Sequence, residues 1–316
     1  MDQTTLIINR VLPILLLIAL GSGLRRGHLL SENTVDELQK IVVYFALPAV
    51  LFTSFLNITL ESRYLVLFVI VFALCVGLLV IGGVLRRVLH IDHPYFPFLI
   101  TGFEYGLLGV SLFGSAYGLE NVGYIAVVDL GHETFIWFVF LALLLMRRDG
   151  LTRPAELAVS IVRSPVIIAI VSGIALNLLG AREFLTNSAI TGGILNTMQF
   201  LSSITVPLIL IIVGYSIRID RQNLRDAALT VGLRMLIIIP LVVVLNAVVI
   251  NGLLGLDVPF QAALFTLLIL PPPFIVPLYM PSTMSDERQY VNTVLTLSTV
   301  VTIVLFVVYF IANPVL

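Results

Sequence analysis

The chain has 316 residues, of which 59% are hydrophobic and only 11% charged, and its mean hydropathy is +1.11. A soluble domain of this size needs a far more polar surface, because its outside faces water. The formal net charge of −1 gives no indication of a nucleic-acid partner. Composition therefore predicts an integral membrane protein and argues against a soluble enzyme or a nucleic-acid-binding protein.

Apolar runs long enough to span a bilayer, roughly 20 residues each, follow one another in two sets of five. The runs do not alternate polar and apolar residues as barrel strands do, so each is predicted to be a helix. The fold class is therefore an all-α polytopic membrane protein with ten transmembrane helices. The runs cover 5–24, 36–56, 64–84, 95–117 and 122–146, then 164–180, 191–216, 227–250, 258–281 and 291–312.

The first three spans carry local signals. Arg25 and Arg26 follow the first run and no small-residue cleavage site does, which indicates a retained span rather than a signal peptide. Thr34 and Glu37 have the spacing of a capping box, which predicts that the second helix starts there. Cys75 is the sole cysteine, so the chain cannot form an internal disulfide.

Positive charges fall almost entirely on one set of alternate loops. The positive-inside rule places the richer set in the cytoplasm, so both termini are predicted to be non-cytoplasmic. The poorer set holds Arg63 and Arg182. The richer set holds Arg25, Arg26, Lys40, Arg86, Arg87, Arg147, Arg148, Arg153, Arg163, Arg218, Arg221, Arg225 and Arg288.

The two sets of spans resemble each other in the placement of prolines. Pro48 interrupts the second span and Pro207 the seventh, which is second in its own set. Since five is odd, the second set inserts upside down, and inverted repeats with matching interruptions are typical of secondary transporters. The prediction is one transmembrane unit over 1–316, with repeats of about 1–150 and about 155–316. The alternative is chance, because proline and glycine are common in membrane helices.

Spans 4 and 9 carry interruptions where the bilayer midplane is expected. Each proline inside a helix costs about 3 kcal/mol, so the three consecutive prolines of span 9 are predicted to stop the helix. The freed carbonyls near 267–269 then need partners, and a half-helix restarting near Phe274 would point its N–H groups into the same place. A bent helix without a ligand is the alternative. The residues predicted to frame a substrate site are Glu104, Tyr105, Gly106, Pro271, Pro272, Pro273 and Phe274.

Span 5 carries Asp129, His132 and Glu133 inside an otherwise apolar helix. Offsets of three and four place Asp129 on the same face as the other two. One interpretation is a proton-coupling relay, since a histidine beside carboxylates can titrate near physiological pH. The other is a hydrogen-bonded network that holds helices together.

Arg234 is the one basic residue inside span 8. We expect it to snorkel to the cytoplasmic interface, with attraction of an anion or pairing with a buried carboxylate as alternatives.

Enzyme motifs do not occur in the sequence. The pair His132–Glu133 is not continued to a second histidine at helical spacing, and no Gly-Lys phosphate loop is present. We therefore expect a protein that is not an enzyme and that needs no cofactor, no metal and no nucleic acid.

Three motifs suggest a family. They are Leu12–Pro13 through Gly21 with Arg25–Arg26–Gly27, Tyr44 through Phe52 around Pro48, and Glu104 through Gly109. In this order, over essentially the whole length, they resemble the auxin efflux carrier family of bacterial permeases. Plant auxin exporters and, more distantly, bile-acid sodium symporters are relatives of that family.

The resemblance implies broken helices 4 and 9 that cross at the substrate site. It also implies a scaffold of spans 1, 2, 6 and 7, often dimeric, and a moving transport domain of spans 3–5 and 8–10. Elevator-like alternating access in a bacterial inner (plasma) membrane follows from it. This sequence departs from the family pattern at Glu104 and Ser111, where many members have Asn and Pro. A carboxylate at 104 suits an anionic substrate only if it is protonated or binds a cation.

The leading hypothesis is a secondary transporter that moves a small organic anion, an auxin-like weak acid or a carboxylate, across the lipid bilayer together with protons. A homodimer is implied by the resemblance alone. The first alternative is sodium coupling, with Glu104 and the freed span-9 carbonyls as oxygen ligands. The second is a membrane receptor, against which the short loops count.

Overall fold

The computed structural model describes residues 3–149, 163–217, 223–281 and 283–314. Within these ranges the secondary structure is helical and includes no strand. Among the described residues, eight helices are long and apolar enough to cross a membrane, and two shorter apolar helices accompany them. This confirms an all-α polytopic membrane protein, whereas the ten-span count and the inverted repeat stay predictions. Arg153, Arg218 and Arg221, which entered the charge count, lie outside the described residues.

The helices are numbered here in chain order. They are α1 (Gln3–Arg26), α2 (Glu32–Asn57), α3 (Arg63–Val88), α4 (Phe96–Ile100), α5 (Val110–Tyr117, preceded by a π-helical turn Tyr105–Gly109), α6 (Leu119–Arg148), α7 (Pro165–Leu178), α8 (Arg182–Asn187), α9 (Ala189–Ser216), α10 (Leu224–Leu253), α11 (Val258–Ile269) and α12 (Ser285–Ala312).

The start of α2 corrects the predicted cap. Ser31 precedes the helix, and its hydroxyl oxygen accepts the Thr34 N–H at 3.1 Å. Ser31 is therefore the N-cap and the helix begins at Glu32, so the capping role predicted for Thr34 was wrong. An N-cap side chain accepts the free N–H of the second or third helical residue. Ser31 does this for Thr34, which is the third residue of the helix.

The two mid-span prolines have different consequences. Before Pro48 the helix widens into a π-helical turn, Val42–Ala46, in which the Leu47 N–H reaches back to Val42 O. Pro207, by contrast, lies inside the continuous helix α9, so the predicted interruption of that span is wrong. A kinked but unbroken helix absorbs one missing N–H where neighbouring helices support it.

Small residues set how closely the helices pack. α1 lies along α9, and α7 lies along α2. An added Cβ on Gly21 would overlap Ile211 O, and one on Gly214 would overlap Ile18 O. Glycine at such contacts lets membrane helices approach backbone to backbone.

The remaining helices surround the broken fourth span. α6 packs against α3 and α11, and α10 packs against α12. At the start of α4, His93 Nδ1 lies 2.9 Å from a Glu287 carboxylate oxygen, and its ring stacks on Tyr290 with centroids 3.5 Å apart. Of the eight long spans, Phe96–Tyr117 is the most deeply buried, with 89% of its apolar stretch inside the molecule. This places the break of span 4 in the core.

Candidate functional site

The two helix breaks meet through their backbones. Residues 101–104 separate α4 from the π-helical turn, and α11 ends at Ile269 before its prolines. The Glu104 N–H donates to Pro271 O at 2.9 Å. We call Thr101–Glu104 together with Leu270–Phe274 the junction. Two interrupted segments of backbone thus satisfy each other where lipid could not.

A glycine allows this close approach. Gly102 has a φ of +71°, in the region that favours glycine, and an added Cβ would lie 2.8 Å from Pro273 Cγ. The first break therefore follows a path that an L-side chain would block, and it does so against the proline run of the second break.

The side chain of Glu104 also connects the two breaks, in addition to its backbone N–H. Its Oε2 accepts the Phe274 N–H at 2.7 Å, and its Oε1 accepts the Leu107 N–H at 3.3 Å. One N–H comes from each broken span, and the side chain is only 9% exposed. The two N–H groups together form a cradle for one carboxylate, and Glu104 occupies it.

The chain after the second break is less regular than predicted. The run 258–281 was expected to restart as a half-helix near Phe274, but only a 3₁₀ turn, Val276–Tyr279, follows. The expected inward direction of the Phe274 N–H is correct, since it meets Glu104. Pro277 within that turn, and Pro281 soon after, prevent a longer helix.

Arg234 corrects the largest error of the sequence interpretation. Instead of snorkelling to the interface, its side chain is fully buried. Its guanidinium donates to Leu99 O at 2.9 Å, Gly102 O at 2.7 Å and Leu270 O at 2.9 Å. The planar fork of an arginine suits several acceptors at once. Arg234 therefore ties both breaks together through carbonyls, a role that none of the three alternatives included.

Carbonyls along the stretch before and within the proline run accept hydrogen bonds from the protein, beginning with Leu267 O, which accepts the Leu270 N–H at 3.3 Å. Thr302 Oγ1 donates to Ile269 O at 2.5 Å, Arg234 to Leu270 O, and the Glu104 N–H to Pro271 O. Buried carbonyls are normally satisfied in this way. These oxygens are therefore occupied in this arrangement by protein hydrogen bonds.

The polar residues of α6 form a hydrogen-bonded chain that ends at the junction. The Phe103 N–H donates to His132 Nε2 at 2.9 Å, and His132 Nδ1 lies 2.7 Å from Asp129 Oδ1. Since a backbone N–H can only donate, Nε2 is unprotonated and the proton sits on Nδ1, facing Asp129. The shared face predicted for Asp129 and His132 is thus present, and it positions the first break.

Glu133 faces a different partner. Its Oε1 accepts the indole N–H of Trp137 at 2.7 Å, a residue for which the sequence suggested no role. Glu133 also interacts electrostatically with Glu104, as does Asp129. The carboxylates of Asp129 and Glu133 thus lie close to Glu104, which belongs to the junction itself.

The same cluster contains residue types that can ligate a metal ion. Asp129, His132 and Glu133 offer ligand atoms within 4.8 Å of one another. Both nitrogens of His132 are already engaged, and a metal would have to displace the Phe103 N–H. The arrangement suits a hydrogen-bond network better than a metal centre.

The other predicted site residues lie at the same place. Pro271, Pro272 and Pro273 are buried, and Phe274 is partly exposed. Tyr105 is buried, and its hydroxyl has no hydrogen-bond partner among the described residues. Gly106 is partly exposed, and a Cβ there would lie 3.5 Å from Leu47 Cδ2 on α2. The structure therefore brings the predicted substrate-site residues together around the two breaks, where Glu104 accepts an N–H from each broken span.

Long apolar helices around a junction of two broken spans are features of membrane transporters. The chain matches the family model for membrane transport proteins over residues 6–310 and belongs to that family, the one that includes auxin efflux carriers. It is also similar to an uncharacterized transporter of Methanothermobacter thermautotrophicus, with 29% identity over 236 residues, 72% of this chain and 74% of that relative. The protein is a membrane transporter.

Proposed function

We propose that the protein is a secondary active transporter of a small organic anion, an auxin-like weak acid or a carboxylate, coupled to protons. The observation that carries the proposal is the cradle at the junction, where N–H groups of Leu107 and Phe274 converge on one carboxylate. Backbone N–H groups at broken helices are a recurring way of binding anionic substrates in transporters.

Proton coupling is supported by the charges around the cradle. Glu104, Asp129 and Glu133 interact with one another there. Arg234 donates to three carbonyls and has no carboxylate among its hydrogen-bond partners in the described residues. Several ionised carboxylates in one apolar interior raise the free energy of the protein. The site can therefore accept a further negative charge most easily if one of its carboxylates takes up a proton.

The relay proposed for α6 is constrained by its hydrogen bonds. A proton on His132 Nε2 would break the bond from the Phe103 N–H. Proton movement through His132 therefore requires the first break to move, which would link protonation to conformation. Replacing Asp129 or Glu133 by its amide and finding the pH dependence of uptake unchanged would remove the relay from the proposal.

Sodium coupling is the second candidate within this class. The oxygen ligands suggested for it were Glu104 and the carbonyls freed by the proline run. Of the carbonyls near 267–269, Leu267 O accepts the Leu270 N–H and Ile269 O accepts the Thr302 hydroxyl. The next two carbonyls, of Leu270 and Pro271, accept hydrogen bonds from Arg234 and the Glu104 N–H. A sodium ion would have to displace these donors, which favours protons.

The mechanism we propose is elevator-type alternating access. The helix contacts support a scaffold of spans 1, 2, 6 and 7, because α1 packs on α9 and α7 on α2. The contacts also support a transport domain of spans 3–5 and 8–10, since α6 packs against both α3 and α11, and α10 packs against α12. A homodimer formed through the scaffold is part of the same proposal.

The proposal is tested by uptake into proteoliposomes that contain the purified protein. Radiolabelled malonate and indole-3-acetate are supplied under an inward proton gradient or an inward sodium gradient, and uptake by protein-free liposomes is subtracted. We expect accumulation with the proton gradient alone. Accumulation with sodium alone would favour the second candidate. A solute bound without any flux would favour a receptor.

We also propose that both termini face away from the cytoplasm in the bacterial inner membrane. Single cysteines at His28 and Asn313, in a Cys75→Ala background, test this with a membrane-impermeant maleimide on intact cells. Both positions are exposed, and Cys75 itself is buried. Position 313 should be labelled from outside and position 28 only after permeabilisation. The reverse pattern would invert the orientation.

A further inference from the structure

The carboxylate of Glu104 sits where an anionic substrate would be held. Its two oxygens use the N–H of Leu107 on one broken span and the N–H of Phe274 on the other. These are the groups that the proposed function assigns to the substrate's carboxylate. One cradle with two N–H donors fits one carboxylate at a time, so substrate and Glu104 cannot both occupy it.

We propose that Glu104 is a tethered carboxylate that competes with the substrate for this cradle, and that a proton neutralises Glu104 when the substrate takes its place. The inference rests on the proposed function, because it assumes a carboxylate substrate. It adds the coupling step: the proton and the anion bind together because the same two N–H groups cannot serve two carboxylates.

Other donors nearby are free to receive a polar ligand. The hydroxyl of Tyr105, Nε of Arg234 and Oγ of Ser298 are buried and have no partner among the described residues. Ser298 lies one turn before Thr302, whose hydroxyl donates to Ile269 O at the end of α11, so both share the face of α12 toward the junction. Native proteins leave few buried donors unsatisfied. Tyr105 follows Glu104 in the chain, and Arg234 already contacts Gly102 O and Leu270 O, so two of these donors belong to residues that build the junction.

The charged groups around the junction, among the described residues, come from two helices. Asp129 and Glu133 of α6 interact with Glu104, while His132 of α6 and Arg234 of α10 bind the backbone of the first break. Nη1 and Nη2 of Arg234 and Nε2 of His132 are committed to the carbonyls and the N–H of the breaks, which leaves only Nε of Arg234 for a ligand. The group that directly exchanges its hydrogen bonds with a substrate is therefore Glu104.

The exchange balances in charge. Before binding, Glu104 carries one negative charge in the cradle. Afterwards the substrate's carboxylate carries that charge, and the proton resides on the displaced Glu104. For a monocarboxylate the loaded and unloaded sites have equal charge, so one proton and one anion move together without net charge transfer.

The test compares the wild-type protein with Glu104→Gln in proteoliposomes clamped with potassium and valinomycin. The probes are radiolabelled lactate and indole-3-acetate, corrected for uptake by protein-free liposomes. With a gradient of one pH unit, acid outside, wild type should accumulate a probe up to about tenfold, and the membrane potential should not change that accumulation. Uptake by Glu104→Gln should not depend on the pH gradient. This variant should accumulate the probe about tenfold at a membrane potential of about 60 mV, inside positive.

The matched control is Glu120→Gln, an exposed carboxylate that should keep wild-type coupling. A second measurement, of thermal stability, detects substrate binding by a variant that binds the acid but does not transport it. Lactate should raise the melting temperature of wild type only at acidic pH, and that of Glu104→Gln and Glu104→Asn from pH 5.5 to 8.

Three outcomes would overturn the inference. The first is a Glu104→Gln protein that still follows the proton gradient, and the second is lactate stabilisation of neither variant at any pH. In both cases, proton-driven uptake by wild type would leave the proposed function standing. The third is wild type that moves neither acid but carries tetraethylammonium, which would remove the proposed function as well.

Discussion

Single residues at the junction make hydrogen bonds that cannot be predicted from the sequence around them. Arg234 lies in an apolar helix, and from its position alone it could reach an interface, an anion or a carboxylate. In the structure it satisfies three carbonyls from two breaks. Glu104 likewise binds backbone groups on both sides of the junction. Each of these residues substitutes for hydrogen bonds that proline and chain breaks remove.

Arg234→Ala should destabilise the protein and abolish uptake. Three buried carbonyls would lose their donors, and each unsatisfied group costs about 1–3 kcal/mol. We expect the melting temperature in detergent to fall by several degrees and uptake to reach background. Arg225→Ala, an exposed arginine on the same helix, is the control and should change neither. An active, equally stable Arg234→Ala would contradict the tethering role.

Gly102→Ala should impair transport more than stability. The new Cβ would need a strained φ, at about 1–3 kcal/mol, and would displace Pro273, which precedes the Phe274 N–H. Initial uptake rates should fall at least about tenfold, which corresponds to about 1.4 kcal/mol. Gly77→Ala, where nothing lies within 4 Å of the added Cβ, should keep the wild-type rate.

At the scale of elements, the sequence located the helix breaks but not how helices pack. The proline run fixed the end of α11 within two residues, because a missing N–H acts locally. The same rule failed for Pro207, where α9 continues. Whether a membrane helix breaks at one proline depends on neighbours that supply compensating contacts, and those neighbours are distant in sequence.

Gly214→Ala should weaken the pairing of α9 with α1. The added methyl group would overlap Ile18 O, and overpacking a close contact costs about 1–3 kcal/mol. We expect a lower melting temperature, measured by intrinsic fluorescence in detergent. Gly83→Ala on α3 has open space around its Cβ and serves as the comparison. Equal melting temperatures for the two variants would show that α1 and α9 can move apart without loss of stability.

At the scale of the whole molecule, the proposed elevator motion requires α6 to slide past α2. Position 123 of α6 offers a test, since a Cβ on Gly123 would lie 3.7 Å from the Cβ of Ile58, just after α2. Disulfides have Cβ atoms about 3.8 Å apart. Gly123→Cys combined with Ile58→Cys, in a Cys75→Ala background, should therefore form a cross-link upon mild oxidation.

The cross-linked protein should lose uptake, and dithiothreitol should restore it. Each single cysteine variant, oxidised in the same way, controls for damage and should stay active. Full activity in a protein shown by gel shift to be cross-linked would mean that these two helices do not move relative to each other during transport.

The membrane class, the helical fold, the positions of both breaks and the family could all be predicted from local sequence. Hydropathy, helix period and proline chemistry act over a few neighbouring residues, so they can be inferred without coordinates. The hydrogen-bond partners of the two breaks, by contrast, became known only from the packed arrangement of the helices. Glu104 meets Phe274 across 170 residues of chain, and Arg234 meets Leu99 across 135. Such contacts depend on how all the helices pack together, and no local pattern encodes that packing.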